Sequence, residues 1–280
     1  MFTLFTIPKA FKGLIGAIQR NAVRSWQRLQ PKCEILLFGD ESGIAETADE
    51  LGVIHVPTIE KNEYGTPLLS SAFDQAQRIS SYDMLIYCNA DIIFMQDLVV
   101  AKSLFSFERF LVCGRRRDLD VHDEIDFESD AWAEEMLTRL RQHSHLHGSS
   151  GIDYFVFPKL LVKMPPFAVG RPGWDNWLIH HMRSHGVPVI DATHAITAVH
   201  QNHGYGHSPF GGSVRVGGPE AKENIRLAGG RAKMMTLRDA DWVLTRDGLR
   251  RPPVARRLIS ALSLFYPWQL LLAAKRRLCI

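Results

Sequence analysis

Through the first ninety residues, short apolar runs of strand length alternate with longer segments of helical period, and this alternation constrains the fold more than any other feature. Residues 3–7 and 34–38 are β-like, and between them Phe11, Leu14, Ile15, Ile18, Ala22 and Trp26 recur at helical spacing. A helical signal at 43–51 leads to VIHV at 53–56, and another at 67–80 leads to MLIYC at 84–88. Repeated strand, helix, strand units give right-handed crossovers and a mostly parallel sheet, with ligands collecting beyond the carboxyl ends of the strands. Functional residues are therefore expected just after 3–7, 34–38 and 84–88.

The second half is less regular and predicts an α+β extension. It holds an apolar run at 110–114, a polar acidic stretch at 115–130, a helix near 129–142 and a strand-like GIDYFVFP at 151–158. A helix then carries WDNWLIHHMRSHG from 173, stopped by Gly186 with Pro188 beyond. Strand-like VPVIDA and AITAVH follow, and a glycine-rich stretch at 203–220 reads as a long ligand-serving or mobile loop. With 280 residues, 46% of them hydrophobic, the chain can bury one large core. Cys33, Cys88 and Cys113 sit in apolar runs without metal or redox spacing and read, with Cys279, as reduced structural thiols.

Charge separates the tail from the body. The net charge is +3, yet seven bases and no acid follow Asp247, so the preceding residues carry −4. That balance excludes a nucleic-acid neutraliser. The amino terminus lacks a signal-peptide pattern, and the body is expected in the cytoplasm. From Leu258 to Ala274 there are 17 uncharged residues bracketed by Arg256-Arg257 and Lys275-Arg276-Arg277. Pro267 and the polar residues within weaken a spanning helix, leaving an interfacial membrane-contacting segment or a helix packed on the body as equal alternatives.

The chemistry centres on Asn89-Ala90-Asp91 at the end of MLIYC. A carboxylate delivered at the end of a buried strand is costly to desolvate unless a cation or donors receive it, which suggests a metal or phosphate site. Asn and Asp also begin turns for local reasons. Gly39-Asp40-Glu41 ends the second strand and Thr6-Ile7-Pro8-Lys9 the first, so two acidic loops share one sheet edge, where a nucleotide fits.

In these features the chain resembles the GT-A glycosyltransferases, family 2-like enzymes with a Rossmann-like nucleotide-sugar sheet and an Asp-x-Asp metal motif at a strand end. The resemblance spans roughly residues 3–205 and departs from the motif at Asn89, where the family has Asp. It implies a mostly parallel sheet flanked by helices with an acceptor-side extension, residues 1–250 as one catalytic domain and 251–280 as a basic, apolar helical tail. It implies Thr6, Pro8, Lys9 and Asp40 around base and ribose, Gly65 and Thr66 beside the nucleotide, and Asn89, Ala90 and Asp91 at the diphosphate. Gly151 and Asp153 map to donor-sugar contacts. Asp91, with His200 and His203, maps to a Mn2+ or Mg2+ site, and Asp175 to the base that takes the acceptor proton. The implied donor is a nucleotide-diphosphate sugar and the acceptor a glycan or lipid-linked hydroxyl.

Plainer alternatives accompany each residue. Tyr64 to Leu68 reads as well as a helix cap with Pro67 in the first turn. Asp175 favours a helix start for the dipole alone, and Trp174 and Trp177 suit sugar stacking or core. Arg115, Arg116 and Arg117 read as anion ligands or, more simply, solvated surface. His143, His145 and His147 read as exposed, and His207 follows His200 and His203. For the whole chain, the alternatives are a nucleotide-sugar-binding module without catalysis, which Asn89 permits, and a histidine-rich metallohydrolase. No H-E-x-x-H spacing supports the latter.

Overall fold

The structure, a computed structural model, describes residues 1–265 except 102, 104, 122 and 205–216, and the side chains of 263–265 lie outside the description. His207, Cys279 and residues 266–280 of the tail therefore fall outside the described residues.

The expected alternation forms one large sheet. β1 (Thr3–Thr6), β2 (Glu34–Phe38), β3 (Ile54–Val56) and β4 (Met84–Cys88) are linked by α1 (Gly13–Gln27), α2 (Ile44–Leu51) and α3 (Leu69–Ile79). β1, β2, β3 and β4 pair in parallel. After the short β5 (Ile92–Phe94) and α4 (Asp97–Ala101), the second half returns to this sheet through β6 (Leu111–Arg115), β9 (Ile152–Pro158), β10 (Val189–Asp191), β12 (Trp242–Thr245) and β13 (Gly248–Arg250). The order is β13-β12-β10-β6-β9-β4-β1-β2-β3, with β9 antiparallel to both β4 and β6. The fold is thus mixed α/β with a mostly parallel central sheet.

Alternation along each strand separates two cores, as expected when both faces are covered. Phe5, Leu36, Phe38, Leu85, Tyr87, Phe155 and Phe157 face α3 and α6 (Trp174–Ser184). Leu4, Ile35, Leu37, Ile86, Cys88, Tyr154 and Val156 face α1, α2 and α4. Phe73 of α3 stacks on Phe157 at 5.6 Å and meets Phe5 edge-on at 5.0 Å, so this helix is locked by ring packing rather than by a side-chain cap. Cys88 and Cys113 are buried and Cys33 half-buried; none of the three is paired.

A second, four-stranded sheet was not expected. It has the order β5-β11-β7-β8, using β7 (Arg117–Leu119), β8 (His145–Leu146) and β11 (Ala198–Gln201). The acidic stretch 115–130 therefore contains a strand. Its apolar side, Ile93, Leu119 and Val199, packs on Met136 and Leu140 of α5 (Trp132–His143). Buried side chains of α1 and β11 bolt this sheet down. Asn21 Nδ2 donates to Gln201 Oε1 at 3.0 Å, Gln201 Nε2 to the Ile18 carbonyl at 2.7 Å, and Trp26 Nε1 to the Ile92 carbonyl at 2.9 Å. α7 (Pro219–Leu227) and α8 (Val254–Phe265) complete the described chain.

Candidate active site

Parallel pairing puts the ends of β1, β2 and β4 on one rim, and the antiparallel β9 enters at that rim with Asp153. The small sheet then closes over it. β11 pairs antiparallel with β5, setting His200 opposite Ile92, and parallel with β7, setting His200 beside Asp118. Asp91 immediately precedes β5, so register alone brings it to His200. His200 Nε2 lies 3.6 Å from Asp91 Oδ2, and His203 Nε2 lies 3.1 Å from the same oxygen.

These three side chains fit a divalent cation. One potential ligand atom from each lies within 4.8 Å of the others, and a mixed oxygen and imidazole set suits first-row divalent ions. Asp91 Oδ1 is buried without a hydrogen-bond partner, a costly condition that a cation would relieve. Burial alone would raise the Asp91 carboxyl. The hydrogen bond with His203 and attraction to the surrounding His200, His203 and Arg116 side chains prevail and hold it below the usual carboxylate range. Burial pushes His200 below the usual imidazole range despite Asp91, so Asp91 is ionised beside a neutral His200, the form that binds metals.

Behind the ligands lies a charged network that the sequence did not disclose. His200 Nδ1 sits 3.1 Å from Asp118 Oδ1, at an angle that completes no hydrogen bond. Asp118 Oδ2 accepts from His147 Nδ1 at 2.7 Å, and Oδ1 from Arg116 Nε at 2.8 Å. Arg116 Nη1 donates to Asp153 Oδ2 at 2.6 Å. Burial opposes the Arg116 charge, but Asp153 and Asp118 overcome it and hold the guanidinium protonated. Two expectations are thereby corrected. Arg116, with its side chain 11% exposed, is a largely enclosed ion-pair partner rather than solvated surface, held between Asp118 and Asp153. His147 is half-buried against Asp118, while His143 and His145 are exposed as expected.

Asn89 has a structural reason for not being Asp. Its Nδ2 donates to Asp153 Oδ1 at 2.6 Å, and its backbone N–H to the Asp153 carbonyl at 2.9 Å. An aspartate there would set a second carboxylate against Asp153. Both Asp153 oxygens are thus engaged within the protein. Ala90 is buried, and a Cβ on Gly151 would strike the His147 ring, so that turn requires glycine.

Farther along the rim, Thr6 is buried with its Oγ1 unpartnered, Pro8 is buried, and Lys9 is exposed. Buried Gln19 braces this loop, accepting from Lys9 N at 2.7 Å and donating to its carbonyl at 3.0 Å. Asp40 is exposed and pairs with Lys61 Nζ at 2.5 Å; that hydrogen bond and charge hold its carboxyl low. Gly65 takes φ 76° in a turn built on Asn62, whose Oδ1 accepts the N–H groups of Tyr64 and Thr66, both at 3.0 Å. Helix α3 starts at Leu69 with Leu68 as its N-cap, so the segment is a turn that ends on the cap and Pro67 lies just before the helix rather than in its first turn. Asn62 Nδ2 donates to Glu220 Oε1 at 2.8 Å, and Glu220 is also paired with Arg171.

Asp175 sits in the first turn of α6, after Gly173 at φ 106°. It keeps partial solvent access at its edge but is enclosed by protein. Burial pushes its carboxyl up to about 7, backbone N–H groups of the helix start partly oppose this, and the charge of Asp153 adds to it. The flanking tryptophans are core: Trp174 packs on Tyr87 and Phe155, and Trp177 on Phe167.

No family model matches the chain, and no curated protein does. Among solved structures, glucosyl-3-phosphoglycerate synthase from Mycobacterium tuberculosis, in complex with Mn2+, UDP and glucosyl-3-phosphoglycerate, is similar over 82% of this chain and 80% of its own, at 12% identity and a TM-score of 0.47. The mannosyltransferase PcManGT from Pyrobaculum calidifontis, in complex with GDP-Man and Mn2+, is similar over 99% and 75%, at 13% identity and a TM-score of 0.48. Both neighbours are GT-A-type glycosyltransferases. At these identities they assign no residue, and the chemistry of the site stands on its own side chains.

Proposed function

We propose that this protein moves a sugar from a nucleotide-diphosphate donor to a hydroxyl acceptor, with a divalent cation held by Asp91, His200 and His203. The observation that carries the proposal is their convergence, with an orphaned Asp91 oxygen, on the same rim as the loops after β1 and β2. A bound Mn2+ or Mg2+ ion supplies Lewis-acid charge to the departing diphosphate.

The remaining roles belong to the chain. Thr6, Pro8, Lys9 and Asp40 present the nucleotide edge, with Lys61 setting the Asp40 carboxylate, and the Gly65 to Thr66 turn borders it. Asn89 and Ala90 approach the diphosphate through a tight turn. Gly151 and Asp153 face the donor sugar, Asp153 held rigid by Asn89 and Arg116. Asp175 takes the proton from the acceptor hydroxyl as that oxygen attacks the anomeric carbon. A carboxyl near 7 is matched to that task because a large fraction is ionised at neutral pH while the group is far more basic than an ordinary carboxylate.

A thermal-shift panel of UDP-, GDP- and CMP-linked sugars with and without manganese, followed by donor turnover, tests this. One nucleotide class should stabilise the protein only with manganese, and the matching donor should be consumed. Nucleotide binding without donor consumption would instead mark a binding module. Phosphoester hydrolysis that survives Asp91→Ala but not loss of His200 and His203 would mark a hydrolase.

A further inference from the structure

We propose that α8 docks this protein on an anionic lipid surface, with Val254, Leu258 and Leu262 entering the acyl boundary and neighbouring arginines meeting lipid phosphates. Contacts on one side of the helix fix its rotation. Ile259 and Ser260 are buried. Ser260 Oγ donates to the Asp239 carbonyl at 3.1 Å and accepts from Arg183 Nη1 at 2.7 Å, and Arg256 Nε donates to the Arg238 carbonyl at 2.6 Å. The opposite side is thereby held outward. It presents Val254, Leu258 and Leu262, 66%, 61% and 47% exposed, at four-residue intervals, so they form one continuous aliphatic stripe rather than scattered apolar residues.

Charge selects the occupant. Beyond Asp247 the sequence has bases and no acid; Arg257 is exposed, and Arg251 is exposed with its guanidinium stacked on Trp242, 3.6 Å from the ring centre. A second copy of this helix would bring more arginines to the face and no carboxylate, because residues 254–265 contain none. A bilayer rich in phosphate headgroups satisfies both the apolar stripe and the basic flank. The contact is interfacial: no helix among the described residues is long and apolar enough to cross a membrane.

The docking face also shares an end of the sheet with the site. Arg256 lies 3.8 Å from Asp191 at the carboxyl end of β10. The segment that Arg256 grips, around Leu237, reaches the site's own loops: Leu237 N donates to the Ser149 carbonyl and Met235 N to the Asn176 carbonyl, both at 3.0 Å. A docked protein would therefore hold the Asp175 turn close to the lipid surface. The proposal rests on α8 and is independent of sugar transfer.

Co-sedimentation of the full chain with vesicles of phosphatidylcholine alone, or mixed with phosphatidylglycerol, tests it. Wild-type protein should pellet with the mixed vesicles and not with phosphatidylcholine alone, and high salt should weaken binding. V254E/L258E/L262E should reduce the partition coefficient about tenfold or more, because three partly inserted aliphatic side chains are replaced by charges that the lipid phosphates repel. Leu160→Glu, at a leucine 83% exposed elsewhere, should bind as wild type. Circular dichroism of the triple variant should match wild type, since all three positions face solvent. The proposal is overturned if wild-type protein stays in the supernatant, if the triple variant binds undiminished, or if the stripe instead mediates concentration-dependent dimers in sedimentation velocity.

Discussion

The two rims of the central sheet each hold a carboxylate against a strand end, and the two are handled differently. At the amino-end rim, Glu34 opens β2 and is satisfied by neutral donors: Thr3 Oγ1 and Ser81 Oγ, both at 2.6 Å, and Ser81 N at 2.9 Å. Burial tends to raise its carboxyl, and these hydrogen bonds, with a smaller contribution from the Lys159 charge, bring it below the usual range. At the carboxyl-end rim, Asp91 has imidazoles for neighbours and one oxygen with no partner. A carboxylate whose oxygens are all met by hydroxyls and N–H groups is finished; Asp91 accepts from His203 on one oxygen and keeps the other buried and unpartnered, where a cation would satisfy it. The difference separates a structural acid from a ligand without appeal to position in the sequence.

Asp91→Ala should abolish metal-dependent UDP binding, weakening it by about a hundredfold or more in calorimetric titration, with thermal stability unreduced. Glu34→Ala should do the opposite, leaving nucleotide binding intact and costing about 1–3 kcal/mol in denaturant unfolding. If both substitutions affect binding alike, the contrast between the rims is wrong.

Arg116→Met sharpens the contrast within the carboxyl-end rim, because it strands Asp118 and Asp153 without their shared cation. Chemical denaturation should show a loss of about 3–5 kcal/mol. A loss no greater than for a surface arginine such as Arg226 would place the network in solvent.

Asp175→Asn should lower turnover while leaving donor affinity nearly intact; unchanged turnover removes Asp175 from the mechanism. Its carboxyl is raised in the folded protein, so its stabilising contribution is full below the unfolded range near 3.8 and is lost as pH rises through about 7. The asparagine variant should therefore gain stability over wild type as pH rises across that window, by about 4 kcal/mol at pH 8, since the carboxyl moves from 3.8 to about 7 on folding. A constant difference between the two proteins at pH 4 and pH 8 would contradict the raised carboxyl. The smallest effect is expected at exposed Asp40, where Asp40→Asn should shift donor affinity only about two- to fivefold and leave manganese binding unchanged.

The large sheet was legible because its strands are apolar on both faces and separated by helices of clear period; β2 and β4 fall where EILLF and MLIYC predict them. Asp91 could be nominated because it follows a strand signal, and His200 and His203 because the family resemblance places a late histidine on the cation. Asp118, Arg116 and His147 could not. Asp118 lies in β7, and Arg116 and His147 directly flank β7 and β8; these strands are three and two residues long, too short for periodicity, in a part of the sequence whose polar residues read as solvent-facing. Only the β7 to β11 register, placing Asp118 beside His200, turns those charges inward. Lys61 was missed for a related reason: its link to Asp40 spans 21 residues and depends on how β2 and the Asn62 turn meet.

Anomalous diffraction from a crystal grown with Mn2+ and UDP tests the central claim most directly. A single manganese peak bounded by an Asp91 oxygen and the Nε2 atoms of His200 and His203 is predicted. A manganese peak elsewhere on the rim, or none beside these three side chains while UDP is bound, would contradict it.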